Sequence, residues 1–118
     1  MGILVVDDDA DVREAVEEIL RAEGYETRGA ANGKEAQDAL ESGGERPDLI
    51  LLDLMMPIMN GWEFYELISR DKSVSSIPVV VMSAQDTDTY AGTLRLLRKP
   101  LALDKLLLTV NEFCLVGG

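Results

Sequence analysis

Three short segments in this chain, two wholly apolar and one with an apolar centre, each stop at ionisable residues, and this constrains the fold more than any bulk property. Leu49-Ile50-Leu51-Leu52 ends at Asp53, Ile3-Leu4-Val5-Val6 runs into Asp7-Asp8-Asp9, and Arg95-Leu96-Leu97-Arg98 runs into Lys99-Pro100. A continuous apolar run of four residues suits a strand covered on both faces, as in a parallel sheet. Charges at the ends of three such strands point to one polar pocket at the carboxyl edge of the sheet. Open α/β sheets bind their ligands at that edge.

The segments between the runs read as helices. Asp11 to Glu23 places Val12, Ala15, Val16, Ile19 and Leu20 on one face, with Gly24 as its stop. Tyr25 to Ala30 is a weaker strand expected near an edge, and Asn32-Gly33 reads as a turn. Lys34 to Ser42 forms a second helix with Ala36, Ala39 and Leu40 inward, and Gly43-Gly44-Glu45-Arg46-Pro47 breaks it. Asp48 to Leu52 is the most apolar strand and is expected at the centre. A loop with Pro57 and Asn60-Gly61 follows, then a helix over Trp62 to Arg70 with Phe64, Leu67 and Ile68 in the core. Val79 to Met82 forms a fourth strand ending at Ser83, and Thr93 to Arg98 contains a fifth. The last helix, Leu103 to Leu115, turns Leu103, Leu106, Leu107, Val110, Phe113 and Cys114 inward. Strand–helix alternation of this kind implies right-handed crossovers and a parallel sheet sandwiched by helices.

With 118 residues the expectation is one domain spanning 1–118. A hydrophobic share of 47% is enough for a real core. The 22 acids against 11 bases give a net charge of -11, which argues against direct nucleic-acid binding and against anionic membranes. No run is long enough to span a membrane, and Met1-Gly2-Ile3 enters a strand with no basic leader. The single cysteine, Cys114, cannot form an internal disulfide, so a reducing, cytoplasmic setting is the expectation. The chain has no histidine, which excludes histidine acid–base chemistry, histidine metal sites and an internal phosphohistidine.

Asp7, Asp8 and Asp53 meeting at one sheet edge would repel one another unless a cation sat among them. A hard divalent ion with oxygen ligands meets that need, most simply Mg²⁺, with Mn²⁺ as the substitute. A calcium loop starting at Asp7 is excluded because Val12 stands where glycine is required. Asp9 and Asp11 suit a helix cap and its first turn. Lys99 would add an ammonium and Ser83 a hydroxyl. A metal, an ammonium and a hydroxyl around one carboxylate can stabilise a transferring phosphoryl group, with Asp53 as nucleophile.

Four segments, ILVVDDDADVRE, PDLILLDLMMPIMNG, PVVVMSA and LRKP, occur in this order at the ends of expected strands. Taken together they make the chain resemble a response-regulator receiver domain of two-component signalling, over essentially its whole length. The resemblance implies a flavodoxin-like α/β three-layer sandwich with a five-stranded parallel sheet in the order 2-1-3-4-5. It implies that Asp53 accepts phosphoryl from the phosphohistidine of a sensor histidine kinase or phosphotransfer protein. It further implies that Asp8, Asp53 and the backbone carbonyl of Met55 ligate Mg²⁺, that Asp7 acts through water, and that Ser83 and Lys99 contact the phosphoryl oxygens. Such a domain is a switch, not a turnover enzyme, and catalyses only its own phosphorylation and dephosphorylation. Its output goes to an effector protein or a fused output domain.

The chain departs from the family pattern in three places. Leu96 stands where the family usually has an aromatic switch residue, three positions before the lysine. The stretch from Ser83 to Lys99 is several residues short, so the fourth helix should be shortened or missing. Sheet surface uncovered there would invite a partner or a homodimer. Met55 and Gln85 occupy the positions that in the family set how fast water attacks the acyl phosphate. An apolar Met55 cannot orient that water, so slow self-dephosphorylation is expected. Leu96 and the short segment also motivate a second reading, a pseudo-receiver acting as a phosphorylation-independent protein-interaction module.

Overall fold

The computed structural model describes residues 2–42, 46–83, 95–98 and 102–117. Five parallel strands form one sheet in the order β2-β1-β3-β4-β5. They are β1 (Gly2–Val6), β2 (Glu26–Ala30), β3 (Leu49–Asp53), β4 (Val79–Ser83) and β5 (Arg95–Arg98). Four described helices connect or follow them: α1 (Ala10–Ala22), α2 (Gly33–Glu41), α3 (Gly61–Arg70) and α4 (Leu103–Gly117). The stretch 84–94, where the shortened helix is expected, lies outside the described residues, as does the side chain of Leu96.

Side-chain alternation along the buried strands divides the core in two. Ile3, Val5, Leu49, Leu51, Val80 and Met82 pack with Val16 and Leu20 of α1 and Leu106 and Val110 of α4. Leu4, Val6, Ile50, Leu52 and Val79 pack on the other face with Ala36 of α2 and Phe64 and Ile68 of α3. All five residues of β3 are buried, as a central strand requires, whereas β2 lies at an edge and buries only Ala30.

Three expected core residues instead face outward. Ala15 is exposed, Leu67 is 39% exposed and Leu103 is 53% exposed. Each lies at the margin of an apolar stripe, where helix periodicity fixes the face but not its width. Asn32-Gly33 starts a helix and is not a free turn. The Asn32 side chain caps α2 by accepting from the Glu35 amide, and the Gly33 N–H donates to the Met59 carbonyl at 2.9 Å. The side chain of Cys114 lies outside the described residues.

The loop after β3 carries the one described non-glycine residue with positive φ, Ile58 at 68°. The Met59 N–H donates to the Pro57 carbonyl at 2.7 Å, closing a γ-turn with Ile58 at its centre. A β-branched residue is strained there, and an 81% exposed side chain recovers little by burial. Ile58→Gly should therefore stabilise the fold by about 1 kcal/mol, after allowing for the larger entropy glycine loses on folding. A urea midpoint that falls would refute the strain.

Candidate functional site

β1 delivers the first two acids. The ladder with β2 continues one residue past β1, where the Asp7 N–H donates to the Ala30 carbonyl at 3.0 Å. The Asp7 carboxylate accepts from the Asp9 N–H at 2.9 Å, and its backbone carbonyl accepts from the Arg13 guanidinium at 2.8 Å. Asp9 in turn caps α1, accepting from the amides of Asp11 and Val12. The run of acids is therefore divided by role: Asp9 and Asp11 serve the helix terminus, and Asp7 and Asp8 are left for the pocket.

β3 delivers Asp53, which is 4% exposed at the end of the central strand. The Met55 amide donates to its Oδ1 at 3.2 Å, which ties the start of the following loop to the carboxylate. One carboxylate oxygen from each of Asp7, Asp8 and Asp53 lies within 4.8 Å of the others, with Asp7 and Asp53 buried and Asp8 exposed. Three acids so close, two of them out of solvent, form an oxygen donor set suited to a hard divalent cation. The exposed member leaves a path to solvent.

Ser83 ends β4 and is 1% exposed. Asp53 pairs with Met82 across the β3–β4 ladder, so Ser83 lies one residue further towards the same carboxyl edge. Lys99 follows the end of β5 and lies outside the described residues, so its ammonium is not placed. Met55 sits in the loop beside Asp53 with its side chain 57% exposed. Gln85 lies outside the described residues.

Two residues that shape the pocket were read from sequence without a role in it, Gly61 only as part of a turn and helix start and Arg13 not at all. Gly61 begins α3, and its N–H donates to the Leu54 carbonyl at 3.0 Å. A Cβ at that position would sit 2.4 Å from the Asp53 carbonyl oxygen and 2.7 Å from Leu54 Cα. The signal was present as Asn60-Gly61 followed by Glu63, since Asn60 and Glu63 form a capping box and thereby mark a helix start. Arg13 is the other; nothing in its spacing reveals a partner six residues back.

The response regulator receiver domain model matches residues 3–111. The chain belongs to that family. It is 40% identical over 94 residues to the alkaline phosphatase synthesis transcriptional regulatory protein SphR of Synechococcus elongatus, covering 74% of this chain and 36% of that protein. It is 38% identical over 111 residues to the response regulator MprA of Mycolicibacterium vanbaalenii, covering 89% of this chain and 46% of that protein. It therefore spans less than half the length of these curated relatives. Among solved structures, the chemotaxis protein CheY4 of Vibrio cholerae superposes with a TM-score of 0.84 at 28% identity, covering 95% of this chain and 97% of that one. The flavodoxin-like order expected for this receiver is the order observed. Among the described residues, no helix is long and apolar enough to cross a membrane.

Proposed function

We propose that this receiver is a phospho-accepting switch in which Asp53 takes a phosphoryl group from a phosphohistidine donor, with Mg²⁺ held by the acidic cluster. The carrying observation is the approach of the Asp7, Asp8 and Asp53 carboxylates to within 4.8 Å. Asp8 and Asp53, with the Met55 carbonyl, would ligate the ion, and Asp7 would act through water; Mn²⁺ suits the same oxygens. A bound ion would supply positive charge to offset the charge of the phosphoryl oxygens. An Asp53 carboxylate oxygen attacks phosphorus, the phosphorus–nitrogen bond to the donor imidazole breaks, and an acyl phosphate forms on Asp53. The Ser83 hydroxyl donates to a phosphoryl oxygen. Lys99 is assigned the matching ammonium from the family resemblance. The added charge then biases a surface between two states that a partner reads.

On this reading the chain modifies only itself and turns over no external substrate. Its partners are a sensor histidine kinase or phosphotransfer protein on the input side. On the output side stand an effector, a second copy or a fused domain, and the greater length of the curated relatives supports the fused domain. A cytoplasmic location suits a kinase-coupled switch. Incubation with acetyl phosphate and Mg²⁺ should place one phosphoryl group on the intact folded chain, mapped to Asp53 by mass spectrometry. EDTA should prevent it. Folded protein that stays unlabelled in Mg²⁺ would overturn the proposal.

Met55 gives this proposal a kinetic consequence. A thioether on the loop beside Asp53 offers no strong hydrogen bond to an attacking water. The phosphorylated chain should lose its label over many minutes or longer, and Met55→Asn should shorten that time. Loss within seconds from the unsubstituted chain would contradict it. The pseudo-receiver reading, motivated by Leu96, predicts equal partner binding with and without beryllofluoride and Mg²⁺; a receiver switch predicts unequal binding.

A further inference from the structure

We infer that Arg13 is a positioning residue for the cation site, acting through the backbone of the Asp7–Asp8 peptide. The inference rests on reading the acidic cluster as a Mg²⁺ site. The guanidinium donates to the Asp7 carbonyl at 2.8 Å. That carbonyl lies in the same rigid plane as the Asp8 amide, so holding its oxygen fixes the direction in which Asp8 leaves the strand. Asp8 is the exposed member of the cluster and therefore the one least held by packing.

The surroundings of Arg13 hold it to this task. Its side chain, half-buried, crosses the edge strand at Gly29, which pairs with Val5. A Cβ at Gly29 would sit 3.0 Å from Arg13 Cδ, 3.2 Å from its Nε and 3.1 Å from Glu17 Oε2. Glu17 is itself only 8% exposed and pairs with Arg21 at 3.4 Å. The glycine thus leaves a channel for the arginine shaft, and Glu17 lines that channel. Asp7 is fixed by its N–H to Ala30, its carbonyl to Arg13 and its carboxylate to the Asp9 amide.

Charge and position predict opposite signs, which makes the inference testable. By Coulomb's law alone, removing a cation near the site should tighten Mg²⁺ binding. Loss of positioning should weaken it, by about tenfold on the scale of other residues that orient metal ligands. Mg²⁺ titration calorimetry of the full chain, with melting in EDTA alongside, separates the two. Arg13→Met, which keeps the shaft and loses the donors, should weaken binding about tenfold. Arg13→Lys should restore most of the affinity. Gly29→Ala, which crowds the shaft, should weaken Mg²⁺ binding when Arg13 is present and not in the Arg13→Met background. Equal or tighter binding by Arg13→Met overturns the inference while leaving the function intact. If Arg13→Met does not fold, unchanged affinity in Gly29→Ala overturns it equally. Failure of the unsubstituted chain to bind Mg²⁺ is a separate outcome that removes the cation site itself, and with it this inference.

Discussion

Asp53→Asn should abolish labelling by acetyl phosphate altogether and, in metal-free buffer, make the folded chain more stable. The first effect follows from loss of the nucleophile. An amide oxygen cannot displace a leaving group from phosphorus and hold the product as an acyl phosphate. The second follows from the cluster. Two unit charges about 5 Å apart repel by roughly 1–3 kcal/mol at effective dielectric constants between those of water and the protein surface. Asparagine keeps an oxygen that can accept from the Met55 amide, so that hydrogen bond survives the loss of charge. Excess Mg²⁺ should then raise the melting temperature of the unsubstituted chain more than that of the variant, because the stabilisation by a ligand grows with the logarithm of its concentration over Kd and the variant binds more weakly. Melting in EDTA and in Mg²⁺ checks both signs. A metal-free variant less stable than its parent would show that the three acids do not strain the fold.

Gly61→Ala should be among the most damaging single substitutions in the chain. Helix propensity alone predicts the opposite, a gain of about 1 kcal/mol from replacing glycine inside a helix. The added methyl, however, meets the backbone of Asp53 and Leu54 at 2.4 and 2.7 Å, and backbone cannot swing aside as a side chain can. The cost should be roughly 3 kcal/mol or more, against a total stability of about 5–15 kcal/mol for a domain of this kind. Relief would require α3 to move away from the end of β3, which displaces Asp53. Labelling by acetyl phosphate should therefore slow even in molecules that remain folded. Denaturant unfolding with parallel labelling tests both, and a stabilised Gly61→Ala would show that α3 has room to shift.

Much of the fold was legible because it rests on patterns that need no tertiary information. Continuous apolar runs identified β1, β3 and β4 as buried, and the acids ending β1 and β3 located the shared edge. The weak pattern of Glu26–Ala30 correctly marked an edge strand. What escaped were contacts that depend on two segments meeting. Gly33 and Gly61 both follow asparagine, and Asn-Gly suggests a turn. Only the packed structure shows each glycine against foreign backbone, Gly33 on Met59 and Gly61 on Asp53. Leu103 and Leu67 satisfy helical periodicity, yet both reach solvent from the margins of their apolar stripes. At the site, the acids announced themselves by position, whereas Arg13 reads as one more surface arginine until its donor is seen on the Asp7 carbonyl.

The complete burial of β3 limits how news of a modified Asp53 can travel. The strand is laced to β1 on one side and β4 on the other, and helices cover both its faces. Sliding it would disturb every layer at once, so it behaves as a fixed post. On the proposed function, displacement among the described residues around β3 would appear where the post ends, in the span from Leu54 to Asn60 that includes the bent Ile58. That hairline of tension beside an immovable anchor is where a small electrostatic push would become a change of outline.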